Sequence, residues 1–304
     1  MISFQSFRER LASKLESIES GILDLWRKTD LTEFRDDPRS PFVVFTHPYR
    51  WKPLPIEHKA TQARILDQYR HWFELFQRCH AGHSSDVQTD IAGINKRILA
   101  AIELQSDWGT GATFEENRLH LKETVDSFRN FLRQHITDGQ DFVIVPDTNA
   151  LLIASEPARY ADVVDSSRFR FIIVPTVLAE LDELKRTRSA QSVGEKAEKA
   201  IRIIKGLRKQ GSVLDGVTVA KTITVQMIPT EPRLADLPSW LDPDNKDDRI
   251  IASALEIQGA QPSATVVLVT DDINLQNKAE MAFLAWAEPP EPLPKTVPPC
   301  STLV

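Results

Sequence analysis

Acidic side chains recur at four places in the second half of this 304-residue sequence, either directly after an apolar β-branched run or near the start of a predicted helix. Open parallel sheets bind ligands at the carboxyl ends of their strands, so acids in these positions are expected to share one cleft. Carboxylates that share a cleft repel one another, and hard divalent cations with oxygen ligands relieve that repulsion. The pattern therefore predicts a Mg²⁺ or Mn²⁺ site. The acids concerned are Asp147, Glu180, Asp247, Asp248, Asp271 and Asp272.

The residue types around these acids restrict the chemistry. All seven histidines lie in the first half of the chain, and residues 141–287 contain neither histidine nor cysteine. A divalent ion held by carboxylates can activate water and stabilise the charge on a phosphodiester, and this chemistry needs neither residue type. The sequence therefore favours metal-assisted hydrolysis over catalysis by a cysteine or histidine side chain.

Each acid alone also fits a structural role. An Asp that follows a strand, such as Asp147, Asp271 or Asp272, is typical of an Asx turn or a helix N-cap. An acid near the start of a helix, such as Glu180, Asp247 or Asp248, is typical of a side chain that interacts with the helix dipole. The reading as one joint site is favoured because four such places occur at matching edges of one α/β unit.

From residue 138 onward, short apolar segments alternate with segments of helical periodicity. Near-continuous apolar strands separated by helices are typical of a buried parallel sheet, and the alternation indicates a doubly wound α/β fold. The predicted strands are 142–145, 169–174, 222–228 and 265–269, and the predicted helices are 149–165 in two pieces, 176–209 in two pieces, 246–259 and 273–281.

Residues 1–137 have a different pattern and predict an all-helical domain. Residues 1–29 carry apolar side chains at steps of three and four, as on one face of a helix. We expect this domain to serve targeting, regulation or oligomerisation. Its other predicted parts are an ordered connection at 31–56 and helical stretches at 57–80, 86–105 and 113–137.

The composition sets further limits. A net charge of −6 argues against a protein that coats nucleic acid through its bulk charge. Two cysteines exclude a disulfide framework and indicate a reducing compartment. No apolar run approaches the roughly 18 residues that span a bilayer. We therefore expect a cytoplasmic protein without a membrane segment, with an α/β domain at 138–287 and a proline-rich, disordered tail at 288–304.

Four motifs within residues 141–287 occur in the order found in the PIN-domain nucleases, and this part of the chain resembles that family. The resemblance implies a PIN-like, three-layer α/β domain with a parallel sheet, preceded here by the all-α N-terminal domain. The motifs run from Val145 to Leu152, from Val174 to Asp182, from Asp247 to Ala252 and from Leu268 to Leu275.

The resemblance also implies an activity. It suggests a divalent-metal-dependent endoribonuclease that hydrolyses RNA phosphodiester bonds through metal-activated water and leaves 5′-phosphate and 3′-hydroxyl ends. Carried over by position, the catalytic and metal-binding acids are Asp147, Glu180, Asp247 and Asp272, with Asp248 and Asp271 as alternatives within their doublets. Thr148, Asn149 and Thr270 are expected to orient carboxylates or water.

A basic segment follows the second of these motifs. Residues 185–209 contain nine Lys or Arg and two Glu, a local net charge of +7. A basic surface beside an acidic cleft suits the phosphate backbone of a nucleic acid, whereas i,i+4 ion pairs on a solvated helix are the alternative explanation. The predicted RNA-binding residues are Lys185, Arg186, Arg188, Lys199, Arg202 and Lys205.

Other functions stay open at this point. A catalytically weak PIN-fold protein that binds RNA or acts as a scaffold is one, and a toxin- or defence-type nuclease that also cuts DNA is another. Aspartyl phosphotransfer is disfavoured because Asn149 stands where an Asp-x-Asp motif needs its second acid. The expected partners are single-stranded or structured RNA, with a homo-oligomer or a regulatory protein contacting residues 1–137.

Overall fold

The computed structural model of the chain divides into two compact units. One comprises residues 7–138, and the other comprises residues 139–304 together with residues 1–6. The predicted domain boundary at 137–138 lies outside the described residues. The structure describes residues 4–33, 49–106, 109–133, 141–186, 191–233 and 237–292.

Four helices dominate the described part of the first unit, and each packs against at least two of the others. The buried residues of the first helix recur every three or four positions, from Phe7 through Leu11 and Leu15 to Leu25. Such spacing buries one stripe of a helix, which explains why this segment is helical. Residues 134–137 of the fourth predicted stretch lie outside the described residues. The helices are α1 (Phe7–Trp26), α2 (Lys59–His80), α3 (Ser85–Glu103) and α4 (Phe114–Arg133).

Aromatic residues of α2 and α4 form the centre of this helical core. The ring centroids of Trp72 and Phe128 lie 5.1 Å apart, and those of Phe76 and Phe128 lie 4.9 Å apart, both in edge-to-face geometry. Each such pair contributes about 0.5–1.5 kcal/mol beyond simple burial. The indole Nε1 of Trp72 donates to the carbonyl oxygen of Leu11 at 2.8 Å, so its polar edge is satisfied inside the core.

The predicted connection at 31–56 contains a short β-hairpin that the sequence did not indicate. Strand β1 (Leu31–Glu33) pairs in antiparallel fashion with β2 (Tyr49–Trp51), with Thr32 opposite Arg50. Strands of three residues are too short to produce a recognisable alternation, and their pairing is not local in sequence. The apolar run 41–45 lies outside the described residues.

The second unit is built around a sheet whose central strands are completely buried. All residues of its first and fifth strands are buried, as expected when helices cover both faces. Its elements are β3 (Phe142–Pro146), α5 (Thr148–Ile153), α6 (Ala161–Val164), β4 (Phe169–Ile173), α7 (Pro175–Arg186), α8 (Gln191–Arg208), β5 (Val217–Val219), β6 (Ile223–Met227), α9 (Lys246–Ala260), β7 (Thr265–Val269), α10 (Ile273–Met281) and β8 (Ala285–Ala287).

The order of strands in this sheet is β5-β6-β4-β3-β7-β8. The chain moves from β3 through β4 to β6 in one direction and then returns to β7 on the other side of β3. Because crossovers between parallel strands are right-handed as a rule, this order predicts α5 to α8 on one face of the sheet and α9 and α10 on the other. The predicted α/β fold class is confirmed, and a mainly helical region that also contains the β1–β2 hairpin precedes the sheet.

The sheet has two strands beyond the four predicted from the sequence, one at each edge. Strand β5 pairs with β6 in antiparallel fashion, and β8 adds to β7 in parallel. Both strands have three residues, too few to show periodicity in the sequence. Their pairing depends on the neighbouring strand, which already presents an unpaired edge.

Described residues near both ends of the chain pack within the second unit. The ring of Phe4 packs edge-to-face on that of Phe142, with centroids 6.2 Å apart. The carbonyl oxygen of Glu291 accepts a hydrogen bond from the guanidinium of Arg159. Of the predicted disordered tail, residues 293–304 lie outside the described residues. Among the described helices, none combines the length and the apolar character needed to cross a membrane.

Candidate active site

A cleft opens at the point where the order of the strands reverses, between the carboxyl ends of β3 and β7. Pro146 and Val269 are partners across these strands, and the backbone N–H of Asp147 donates to the carbonyl oxygen of Val269 at 3.0 Å. Such switch points are where open α/β sheets bind ligands. The cleft has a volume of about 210 Å³ and is lined by Asp147, Thr148, Asn149, Glu180, Glu183, Leu184, Lys246, Asp247, Ile250, Asp272 and Leu275.

Asp147 is the most buried acid of the cleft, with 4% of its surface exposed. It caps α5, because its Oδ1 accepts from the backbone N–H of Ala150 at 2.6 Å, and its Oδ2 accepts from the hydroxyl of Thr270 at 2.5 Å. Burial raises the pKa of Asp147 to about 6, and the charges of Asp271 and Asp272 act in the same direction. The two hydrogen bonds only partly oppose this effect.

Asp272 follows β7, on the other side of the point where the strand order reverses from Asp147, and it caps α10. Its Oδ1 accepts from the backbone N–H groups of Asn274 and Leu275 at 2.7 and 3.3 Å. Its own backbone N–H donates to the hydroxyl oxygen of Thr270 at 3.0 Å. The structure therefore gives Asp147 and Asp272 the capping role and the place in the cleft at the same time.

Glu180 reaches the cleft from α7. One of its carboxylate oxygens, Oε2, accepts a hydrogen bond from the hydroxyl of Thr148, the first residue of α5. Thr148 therefore holds Glu180 close to the residues that follow β3. Asn149 also lines the cleft but its side chain is exposed, and no hydrogen bond from it to a cleft carboxylate is found in the described part of the chain.

The Asp247–Asp248 doublet at the start of α9 divides into two different roles. Asp247 is partly exposed and lines the cleft. Asp248 is buried and turned away from it, since its Oδ2 accepts from the backbone N–H of Asp242 at 2.9 Å and its Oδ1 lies 2.7 Å from Nζ of Lys278. Burial raises the pKa of Asp247, while the more distant ammonium of Lys278, 3.8 Å away, opposes that rise.

In the second doublet, Asp271–Asp272, one acid also lines the cleft and the other does not. Asp272 lines the cleft, whereas Asp271 is exposed and is not among the described lining residues. Of the six acids named from the sequence, the structure thus brings four together at the cleft. These are Asp147, Glu180, Asp247 and Asp272.

Two charged residues of the cleft, Lys246 and Glu183, were not predicted from the sequence. Nζ of Lys246, the first residue of α9, lies 2.9 Å from Oε2 of Glu183 and 3.6 Å from Oε1 of Glu180. The hydrogen bond to Glu183 raises the pKa of Lys246, and the same bond lowers the pKa of Glu183. A signal for Glu183 was present in the sequence, because residues three apart share one face of a helix.

The donor chemistry of the cleft suits a hard divalent cation. The four acids supply only oxygen atoms, which Mg²⁺ and Mn²⁺ prefer, and a buried acid with a raised pKa is a group that a nearby cation would favour in its ionised form. In the described residues, however, no three carboxylate, histidine or cysteine side chains are gathered tightly enough to hold an ion. Asp247 is only partly buried, so its side chain has room to rotate toward the other three acids.

The predicted RNA-binding residues lie on α7 and α8. Lys185 and Arg186 end α7 directly after two lining residues of the cleft, and both are exposed. On α8, Lys199 pairs with Glu156 at 3.1 Å and Arg202 pairs with Glu198 at 3.6 Å. Lys205 is exposed on the same helix. Arg188 lies outside the described residues.

Comparison with known proteins points to the same part of the chain. The family model described as a PIN domain matches residues 144–285, which include every acid of the cleft. The chain is also similar to the human transcriptional protein SWT1 (Homo sapiens), with 29% identity over 147 residues. That similarity covers 47% of this chain but 15% of the human protein, so it concerns a domain and not the whole of the relative.

Proposed function

We propose that the protein is a divalent-metal-dependent endoribonuclease, on the premise that residues 144–285 match the PIN-domain family. The observation that carries the proposal is the placement of four carboxylates in one cleft at the switch point of the sheet. A Mg²⁺ or Mn²⁺ ion held there would supply an activated water and neutralise charge on the phosphodiester. The residues assigned to hold it are Asp147, Glu180, Asp247 and Asp272.

The surrounding residues have positioning roles in this proposal. Thr148 and Thr270 hold Glu180 and Asp147 through hydrogen bonds from their hydroxyl groups. A fixed carboxylate presents its free lone pairs in one direction, which is what an ion with a strict coordination geometry requires. Asn149 has an exposed side chain at the cleft, where it can contact substrate.

The basic residues at the end of α7 and on α8 would hold the RNA. Lys185 and Arg186 follow the cleft directly in sequence, so a phosphate backbone entering the cleft would pass beside them. Backbone contacts of this kind supply affinity without sequence preference. The proposed RNA-binding surface also includes Arg188, Lys199, Arg202 and Lys205.

The test is cleavage of an end-labelled, partly structured RNA by the purified full chain. The reactions contain Mn²⁺, Mg²⁺ or EDTA, and a DNA of the same sequence is tested in parallel. Asp147→Asn is the inactivating variant, and Asp162→Asn, which changes an exposed acid on α6, is its matched control. We expect metal-dependent cleavage of RNA by the wild type and by Asp162→Asn only; equal cleavage by Asp147→Asn or in EDTA would reject the proposal.

A second candidate is a PIN-fold protein that binds RNA but cleaves it weakly. It is favoured by the ammonium group of Lys246, which lies among the acids of the cleft. This candidate predicts RNA binding that is unchanged in Asp147→Asn and no more than weak cleavage with either metal. For residues 1–137 we keep the prediction of a targeting, regulatory or oligomerisation role, which sedimentation of the full chain with and without RNA would examine.

A further inference from the structure

Lys246 connects two helices that line the cleft. It is the first residue of α9, and its ammonium group lies close to two acids of α7, 2.9 Å from Glu183 and 3.6 Å from Glu180. Glu180 and Glu183 are three residues apart and therefore share one face of α7. All three side chains line the cleft, so the contact is made within it.

The position of Lys246 in its helix is unusual in electrostatic terms. The first turn of a helix carries a partial positive charge, which favours acids such as Asp247 and disfavours a lysine. The neighbouring acids on α7 compensate for this disadvantage. The side chain is still 51% exposed, so it can leave its partners without first opening the core.

Glu180 is fully engaged by groups of the chain itself. Its Oε2 accepts from the hydroxyl of Thr148, and its Oε1 faces the ammonium of Lys246. A divalent ion that uses Glu180 as a ligand needs at least one of these oxygens. Oε1 is the accessible one, because its partner sits on a long and exposed side chain, whereas Thr148 is buried.

The other lysine near the acids has a different arrangement. Nζ of Lys278 lies 2.7 Å from Asp248, which is turned away from the cleft, and 3.8 Å from Asp247. Its closest contact therefore serves the packing of α9 against α10. Of these two lysines, Lys246 is the one that lines the cleft.

We propose that Lys246 is a tethered cation that competes with the divalent ion for Glu180. This inference rests on the proposed metal-dependent function and names a residue that tunes it. Binding of the ion would displace the ammonium group from Oε1, and the cost of that displacement would lower the affinity for the ion. The contact with Glu183 would keep the displaced ammonium at the rim of the cleft.

Binding of Mn²⁺ alone to the metal-stripped full chain tests the proposal, by paramagnetic resonance or calorimetry and without RNA. Lys246→Met removes the charge and keeps much of the aliphatic side chain, while Lys221→Met removes an exposed charge outside the cleft. We expect the Kd for Mn²⁺ to fall roughly threefold to tenfold in Lys246→Met, which is the range that one or two exposed ion pairs provide. It should stay at the wild-type value in Lys221→Met. An unchanged or higher Kd in Lys246→Met would overturn the proposal.

A double-mutant cycle separates competition at Glu180 from a general loss of positive charge. Lys246→Met is introduced into a Glu180→Gln background, and the thermal unfolding temperature of each variant is measured to show that it is folded. Competition predicts that Lys246→Met changes the Kd little when Glu180 is already neutral. A gain in affinity of the same size in both backgrounds would reject competition at Glu180.

The same titrations separate this inference from the nuclease proposal. If Asp147→Asn weakens Mn²⁺ binding but Lys246→Met has no effect, the assignment of the metal site is supported and the role of Lys246 is rejected. If neither the wild type nor Lys246→Met binds Mn²⁺, the role of Lys246 and the metal-dependent function are both rejected. A lower Kd in Lys246→Met supports the role of Lys246 whether or not RNA is cleaved.

Discussion

The hydroxyl of Thr270 donates a hydrogen bond to Oδ2 of Asp147 and thereby joins the residues that follow β7 to those that follow β3. Thr270 is completely buried, and its oxygen also accepts the backbone N–H of Asp272 at 3.0 Å. Because the backbone N–H already uses a lone pair of the hydroxyl oxygen, the hydroxyl proton is directed at Asp147. One side chain thus orients the carboxylate of Asp147 and the backbone that carries Asp272.

Replacement of Thr270 by valine should therefore weaken metal binding while keeping the volume of the side chain. Residues that orient ligands typically contribute 10- to 100-fold in affinity or activity, and we expect a loss of about that size. The measurements are the Kd for Mn²⁺ and the rate of RNA cleavage at saturating metal. Removal of a buried hydroxyl that has partners should also lower the free energy of unfolding by about 1–3 kcal/mol.

Strand β7 offers a matched control for this substitution. Thr265 lies at the other end of the same strand and is equally buried, and no partner of its hydroxyl is found in the part of the chain that the structure describes. Thr265→Val should leave metal binding unchanged and should be neutral or stabilising. Equal effects of the two substitutions on Mn²⁺ binding would contradict the orienting role of Thr270.

The positions of the acids could be predicted because each depends on a short stretch of sequence. Asp147 directly follows a buried strand, and the end of a strand sets the side of the sheet on which the next residue lies. The choice within the doublet Asp247–Asp248 could not be predicted. Successive residues of a helix point about 100° apart, so it depends on the rotation of α9 against the sheet, which packing determines.

The contact of Lys246 with Glu180 and Glu183 could not be predicted from the sequence either. It joins helices more than 60 residues apart in sequence, as the spacing of Glu183 and Lys246 shows. The helical unit was more predictable, because apolar residues at steps of three and four report on a single helix. The short strands β1, β2, β5 and β8 lacked any such local signal and were missed.

The raised pKa of Asp147 predicts how stability changes with pH in the metal-free protein. A folded-state pKa of about 6, above the ordinary value of 3.8, means that the folded protein binds a proton that the unfolded chain has lost between these values. The contribution of Asp147 to the free energy of unfolding is therefore largest below about pH 4 and is lost as the pH rises to about 6. Asp147→Asn should remove this dependence and stabilise the metal-free protein by about 1–3 kcal/mol at pH 7.5.

Chemical denaturation in EDTA at pH 4.5 and pH 7.5 measures this effect as the difference between variant and wild type. The difference should be clearly larger at pH 7.5, since Asp147 of the wild type is then ionised in a buried position. Asp162→Asn, at an exposed acid, should show the same small difference at both values of pH. A destabilised Asp147→Asn variant at pH 7.5 would contradict the prediction.

The basic end of α7 should contribute to RNA affinity. We expect the double variant Lys185→Gln, Arg186→Gln to bind single-stranded RNA more weakly than the wild type. Each lost phosphate contact reduces the slope of log K against log salt by about 0.7 for a single strand, so the double variant should lower it by about 1.4. Fluorescence anisotropy in EDTA at several salt concentrations measures both quantities without cleavage.

A lysine at the opposite end of the strands of the same sheet, Lys221, provides the control. Lys221 is exposed just before β6 begins, whereas the cleft lies at the carboxyl ends of the strands. Lys221→Gln changes the net charge in the same direction but should leave the salt slope at its wild-type value. A slope that is equal in the double variant and the wild type would show that RNA does not pass the end of α7.

The doublet at the start of α9 allows function and stability to be separated with adjacent residues. Asp247 lines the cleft, so Asp247→Asn should reduce RNA cleavage more than the 10- to 100-fold typical of residues that orient ligands. Because its carboxylate already has a raised pKa, loss of its charge should not destabilise the fold.

Asp248 instead accepts from the backbone of Asp242 and pairs with Lys278. Asp248→Asn removes the charge opposite a largely buried ammonium and should lower the free energy of unfolding by about 1–3 kcal/mol.

Comparison of the two variants in one preparation decides between the roles. Cleavage rates are measured at a temperature well below both unfolding transitions, so that Asp248→Asn is tested as a folded protein. We expect low activity with wild-type stability for Asp247→Asn, and lower stability with substantial activity for Asp248→Asn. The opposite result would mean that α9 is rotated by one residue when metal and RNA are bound. In that case Asp248 would be the ligand, and Lys278 would be the cation that has to leave it.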